Sequence, residues 1–264
     1  MRKTMRHPRP GATGTWLATR LVAVTVAFGL AGTWASVARA QGGSDILRRI
    51  DRNLTPESYE SYRRLTNIEP GGRQREYLLF SVARGREKVA SLFLSPASDR
   101  GRATLRLGDN MWLYIPNAGK PVRITSLQGV VGGVFNNADI LALDYGAEYD
   151  VVGQEEAGTE YLLHLQAKTR TVAYDKLRMW VTKDRYLPTR IECLTAASVL
   201  IKTLYFKDVK DFGGGLVRPA TIETDSPLHQ GYKSIMAFVD IKKRTLPDEA
   251  FTLTFLPKLE SLRR

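Results

Sequence analysis

Thiol and imidazole chemistry have little to work with in this chain. Its 264 residues hold one cysteine, Cys193, and three histidines, His7, His164 and His229. A single cysteine excludes an internal disulfide. No second Cys or His stands at metal-ligand spacing from His164 or His229, so a zinc-type site is not expected. Gly-x-Ser-x-Gly, Gly-Lys-Ser/Thr and Gly-x-Gly-x-x-Gly are absent, which removes the usual signs of an esterase elbow, a phosphate loop and a dinucleotide fold. Asp211-Phe-Gly213 lacks every other kinase element and reads as a turn. Strands do not alternate with long helices, so a doubly wound sheet is excluded. His164, between Leu163 and Leu165, reads as an outward strand position, and Cys193, two residues from Ile191, as a small buried hydrophobe. The expectation is a protein with no catalytic residue, metal or cofactor. Six carboxylates remain available, because an acid–base pair is defined in space rather than in sequence: Asp109, Asp139, Asp144, Asp150, Glu155 and Glu156.

Acidic residues are also missing from the first forty positions. Arg2, Lys3, Arg6, Arg9 and Arg20 precede an apolar run from Leu21 to Val37, and the run ends at Ala38-Arg39-Ala40. A cationic head, an apolar middle and small residues at −3 and −1 are the layout of a cleaved secretory signal. We expect residues 1–40 to be removed and residues 41–264 to form one domain, soluble in the periplasm. No cysteine near the cleavage point would carry a lipid anchor. Removing the six basic residues of the leader lowers the formal charge from +12 to +6. The remaining basic residues are scattered, which is not the footprint of a nucleic-acid binder.

What the chain does have is alternation. Ser44 is placed to cap a short helix carrying Ile46, Leu47, Ile50 and Leu54, which stops at Thr55-Pro56. From Glu76 onward the period is two. Runs at 76–82, 88–95, 103–107 and 111–115 are followed by others at 149–154, 160–168, 175–183, 189–195, 199–209, 219–225 and 232–242. Gly108-Asp109-Asn110, Ala157-Gly158 and Gly213-Gly-Gly215 separate some of them, and this is hairpin chemistry. One antiparallel meander follows from such spacing. The interruption at 126–143 has glycines at 129, 132 and 133, then Asn136 or Asn137 as cap of a short helix with Ile140, Leu141 and Leu143. A further turn is expected at 247–250.

An antiparallel sheet with one apolar face must cover that face. Alternation assigns to it Phe80, Leu94, Leu105, Leu107, Leu163, Leu165, Leu177, Met179, Val181, Ile191, Leu204, Phe206, Met236 and Phe238, with Trp112 as a further candidate. So little helix over so large a sheet predicts a gap, and an apolar gap is the usual form of an acyl-chain site. Val134, Phe135, Ile140 and Leu141 would be its lid. The same alternating residues are also what any β-barrel core contains.

Met111-Trp-Leu-Tyr-Ile-Pro116, Val122-Arg-Ile and Gly133-Val-Phe-Asn-Asn-Ala-Asp139-Ile resemble the motifs of the outer-membrane lipoprotein-sorting (LolA-like) family of periplasmic carriers. The ending Phe251-Thr-Leu-Thr-Phe-Leu-Pro257 is similar to that superfamily's as well. The resemblance implies a mainly β fold: a large antiparallel half-open β-barrel with short covering helices. It also implies a carrier that moves lipoprotein acyl chains or other lipids from an inner-membrane ABC- or RND-type exporter to an outer-membrane acceptor. A lipid-sensing or adaptor module docked on a membrane protein is the alternative. The family holds its lid with an arginine in an Arg-Pro-x-x-Phe stretch. The region compared with it here, Leu94-Ser-Pro-Ala-Ser-Asp-Arg-Gly101, lacks that order.

Overall fold

The structure, a computed structural model, describes residues 30–141 and 144–263, with side chains from residue 42 onward. Contacts divide the chain into Met1–Val37 and Ala38–Arg264, and the second unit is described below. Most of the expected leader, residues 1–29, lies outside the described residues, as do Leu143 and the side chains of the expected cleavage point at 38–40.

Thirteen antiparallel strands form one sheet. The first six are β1 (Ser58–Ile68), β2 (Gln74–Arg84), β3 (Lys88–Ser95), β4 (Ala103–Leu107), β5 (Asn110–Tyr114) and β6 (Val122–Ile124). They run outward as a meander from the middle of the sheet to one edge. The chain then crosses to the other edge through two single-turn helices, α2 (Asn137–Ile140) and α3 (Tyr145–Glu148). A second meander brings it back: β7 (Tyr149–Ala157), β8 (Glu160–Ala167), β9 (Lys176–Thr182), β10 (Pro188–Leu194), β11 (Leu200–Asp211), β12 (Val217–Asp225) and β13 (Lys233–Lys243). Pairing of β13 with β1 joins the two meanders, while β6 and β7 remain unpaired edges, so the barrel is half open. The hairpin chemistry predicted at Gly108-Asp109 and Ala157-Gly158 makes the β4–β5 and β7–β8 turns.

The long helix α1 (Leu30–Leu54) supplies most of the cover on one face of the sheet. It runs straight through Ser44, which is therefore not an N-cap; only its end, at Thr55-Pro56, follows the expectation. Ile46, Leu47, Ile50 and Leu54 repeat at helical spacing and pack with the strands into one core cluster. Burying each such side chain contributes roughly 1.5–3 kcal/mol. Gly43 lets the helix approach β7, because a Cβ there would stand 2.5 Å from the Val151 side chain. The opposite face of the sheet is covered only over β2–β5. There the tail, with 3-10 turns at Asp248–Phe251 and Leu256–Leu262, places Leu246, Ala250, Phe251, Leu256 and Leu259 on Phe80, Val82, Leu92, Leu94 and Leu105.

That second layer corrects part of the expected face. Leu163, Leu165, Leu177, Met179, Val181, Ile191, Leu204, Phe206 and Met236 share the core under α1, and Phe238 packs at its margin. Phe80, Leu94 and Leu105, with Leu107 and Trp112 packed against them, lie on the other side of the sheet, under the tail. In β2–β4 the set Phe80, Val82, Leu92, Leu94 and Leu105 is thus the outer one. The inward set there includes Ser81, Ser91, Thr104 and Arg106, all buried.

Candidate functional site

Beneath α1 and α2 the expected wide gap is a hollow of about 70 Å³. A water needs about 10–15 Å³ of such space, so there is room for a handful of heavy atoms. The two helices and the apolar strand residues fill the rest of the face. Leu204, Phe206, Met236 and Phe238 line the hollow, and so does Phe135; Ile222 and Leu54 complete the apolar wall. Ile140 belongs to the surrounding core, Leu141 to a smaller cluster with Tyr59, Val89 and Met111, and Val134 is buried.

The lid segment is held by a connected polar network. Asn136 accepts from the Asp139 backbone N–H at 3.1 Å, and Asp139 accepts from that of Asn136 at 2.9 Å, a reciprocal cap of α2. Lys202 of β11 donates to Asp139 and to the Val134 carbonyl, at 2.7 and 2.8 Å. The Tyr174 hydroxyl donates to Asp139 at 2.9 Å and accepts from Asn136 at 2.8 Å. Ser234 accepts from the Val134 N–H, and Asn67 donates to the Val131 carbonyl. Gly133 packs so closely on Asn67 that a Cβ would stand 2.1 Å from its Oδ1. The glycine-rich loop is therefore docked on β1, β11 and β13.

Two arginines grip the covering helices. Arg63 donates Nη1 to the Ile140 carbonyl of α2 at 2.6 Å and Nη2 to Ser81 and Ser91. Arg218 donates Nη1 to the carbonyl of Leu54, the last residue of α1, and Nε to Pro219 O at 3.2 Å. Both side chains are buried and both line the hollow. A bulge between Tyr62 and Arg63, which sets Arg63 opposite Phe238 on β13, positions the first. Burial lowers both guanidinium pKa values, that of Arg218 to about 10. An arginine thus holds the lid although the 94–101 stretch contributes none.

Arg63, Asn67, Lys202 and Arg218 escaped the sequence reading. The signal was present: Tyr59, Ser61, Arg63, Leu65 and Asn67 alternate as the inward side of β1. Asp51 of α1 was missed too. It accepts from the backbone N–H groups of Tyr145 and Gly146 at 3.3 and 2.8 Å and pairs with Arg86 at 3.0 Å. Burial outweighs Arg86 and raises its carboxyl pKa to about 6.

The six candidate carboxylates are dispersed. Asp139 serves α2, while Asp144 caps α3 and pairs with Arg86. Glu155 faces His164 at 2.8 Å, and Glu156 faces Lys183 at the same distance. Asp150 lies 3.8 Å from Lys168, and Asp109 accepts from Thr171. Cys193 is fully buried, and burial pushes its thiol pKa up, away from reactivity. Among the described residues no group of His, Cys, Asp and Glu is placed to hold a metal, and no helix is long and apolar enough to cross a membrane.

An open antiparallel sheet with helices held over its inner face is a LolA-like fold, and solved structures of that fold match it. A LolA superfamily protein from Nitrosomonas europaea is 27% identical, with a TM-score of 0.72 over 81% of this chain and 97% of that one. A putative outer membrane lipoprotein-sorting protein domain from Vibrio parahaemolyticus is 19% identical, with a TM-score of 0.69 over 83% of this chain and 99% of that one. A DUF1329 family protein from Desulfovibrio piger is 22% identical, with a TM-score of 0.70 over the same shares. No curated protein matches the chain. A family model described only as "Uncharacterized protein" matches residues 85–258, about two-thirds of the chain, and the chain belongs to that family.

Proposed function

We propose that this protein is a periplasmic carrier that takes acyl chains of lipoproteins or other lipids into its inner face. It would move them from an inner-membrane exporter to an outer-membrane acceptor. The observation that carries the reading is the hollow itself, walled by Leu204, Phe206, Ile222 and Met236 and roofed by two helices. Arg63 and Arg218 each hold one of these helices by a backbone carbonyl, beside the Lys202–Asp139 pair on α2. Such a roof is closed yet separable, since only side-chain contacts hold it and it can part without unpairing a strand.

Loading then needs no bond-making, so the role is not enzymatic. Acyl methylenes leaving water contribute about 0.8 kcal/mol each, and they replace the contacts that Leu54 and Phe135 make in the closed form. The apolar fill of the inner face is retained in both states, with the chain standing in for the roof. The leader-like first forty residues support export to the periplasm.

Uptake of a fluorescent fatty acid tests this directly. Phe206→Glu places a charge in the hollow and Leu204→Trp fills it; both should abolish uptake while circular dichroism stays unchanged. Normal uptake in both variants would remove the carrier reading. Organic extraction of the purified protein followed by mass spectrometry should also yield lipid in stoichiometric amount. An empty extract, with tight binding to an exporter's periplasmic domain, would favour an adaptor instead.

A further inference from the structure

Buried cations on the inner face of the sheet fall into two groups. Lys202 is matched by Asp139 at 2.7 Å and Arg106 by Glu148 at 2.5 Å. Arg63 and Arg218 have no carboxylate among the described residues, although both are buried. A buried charge is ordinarily paired, because leaving water without a counter-charge is costly. These two are also neighbours: both guanidinium groups rest on the ring of Phe238, at 5.9 and 4.0 Å from its centroid. Their hydrogen bonding is incomplete. Arg63 Nε is buried with no partner, although its Nη1 and Nη2 are engaged, and among the described residues Arg218 bonds through Nε and Nη1. Two like charges with no carboxylate at ion-pair distance among the described residues thus line the same small hollow as the apolar wall and the Lys202-paired Asp139.

We propose that Arg63 and Arg218 are the headgroup site for an anionic single-chain amphiphile, whose carboxylate or phosphate accepts from the guanidinium N–H groups while its hydrocarbon follows Leu204, Phe206, Ile222 and Met236. The inference rests on the carrier reading and names the ligand class. The closed hollow already has the size for a head of a few heavy atoms. The same N–H groups now hold the Leu54 and Ile140 carbonyls. A charged acceptor makes a stronger bond with a guanidinium than a carbonyl does, so the head competes with both roof contacts at once. Arrival of the anion thereby loosens α1 and α2 together, and the tail enters where they part. A neutral amphiphile of equal length has no such lever.

Calorimetric titration of the full chain with dodecanoate, dodecyl phosphate, dodecanol and inorganic phosphate tests the inference. At least one charged amphiphile should bind tenfold or more tighter than dodecanol, and inorganic phosphate alone should bind far more weakly. Whichever charged amphiphile binds better names the head. In Arg218→Met and Arg63→Met the tighter binding of the charged amphiphile over dodecanol should vanish. Equal binding of charged and neutral amphiphiles overturns the headgroup site and leaves the carrier reading standing. Phosphate binding as tight as dodecyl phosphate overturns it in favour of a free-anion site. Failure of every amphiphile to bind overturns the carrier reading and this inference with it. Should neither variant fold, the comparison on the unsubstituted protein decides alone.

Discussion

The two meanders of one sheet treat their inner faces differently. In β8–β10 the inner face is almost continuously apolar: Leu163, Leu165, Leu177, Met179, Val181 and Ile191. The outer face of the same strands carries His164, Arg178 and Arg190, wet and loosely paired. In β1–β5 the inner face is mixed, with Arg63, Ser81, Ser91, Thr104 and Arg106 buried among apolar neighbours. Its outer face is the apolar one, sealed by the tail. The grip on the roof thus comes from both meanders, Arg63 of β1 and Lys202 and Arg218 of β11 and β12, while the unbroken oily wall belongs to β8–β10. The hollow sits where they meet, at β1, β12 and β13. A sheet covered on both sides is free to keep polar groups inside, because burial on its outer face already stabilises it.

Substitutions that separate the two halves sharpen that contrast. The largest loss should come at the lid's anchor. Lys202→Met leaves Asp139 buried without its cation and should cost about 4 kcal/mol in denaturant unfolding. A loss below about 1 kcal/mol would show the pair is not what holds the segment. Phe80→Ala and Leu165→Ala should each cost about 3 to 4 kcal/mol, since both side chains are fully buried. They should diverge in function: Leu165→Ala should weaken fatty-acid binding, whereas Phe80→Ala, on the tail side, should leave it unchanged. Equal effects on binding would erase the distinction between the faces.

Stability should also depend on pH through Asp51. A carboxyl whose folded pKa stands near 6, above its unfolded value, contributes its stability fully below about pH 4 and loses it as pH rises through 6. The loss is worth up to about 3 kcal/mol. Asp51→Asn should flatten the stability profile between pH 4 and 6, and an unchanged slope would assign the dependence elsewhere. The smallest effect belongs to the cap of α2: Asn136→Ala should cost about 1 kcal/mol and raise the amide exchange of residues 137–140 before any other segment.

Much of this architecture was legible because it is written in short-range periods. Hairpin turns at Gly108-Asp109, the stop of α1 at Thr55-Pro56 and the Asn136 cap each depend on a few adjacent residues. The inward set of β8–β10 was legible too, since only one face of those strands is covered and alternation then has a single meaning. In β2–β5 alternation showed two faces but not which one looked inward. Phe80, Leu94 and Leu105 are as apolar as any cavity residue, and the partner that claims them arrives from residues 246–259.

Most of the strands and their antiparallel order are properties of the chain's own periodicity and turn chemistry, which act over a few residues, whereas β1 and the short β6 lay outside the alternating runs. Which face became the interior, how far the hollow closed, and the meeting of Arg63 with Arg218 across Phe238 were decided only in three dimensions. Those outcomes depend on pairing β1 with β13, more than 160 residues apart in sequence, and on the cost of a buried charge. Neither has any local trace.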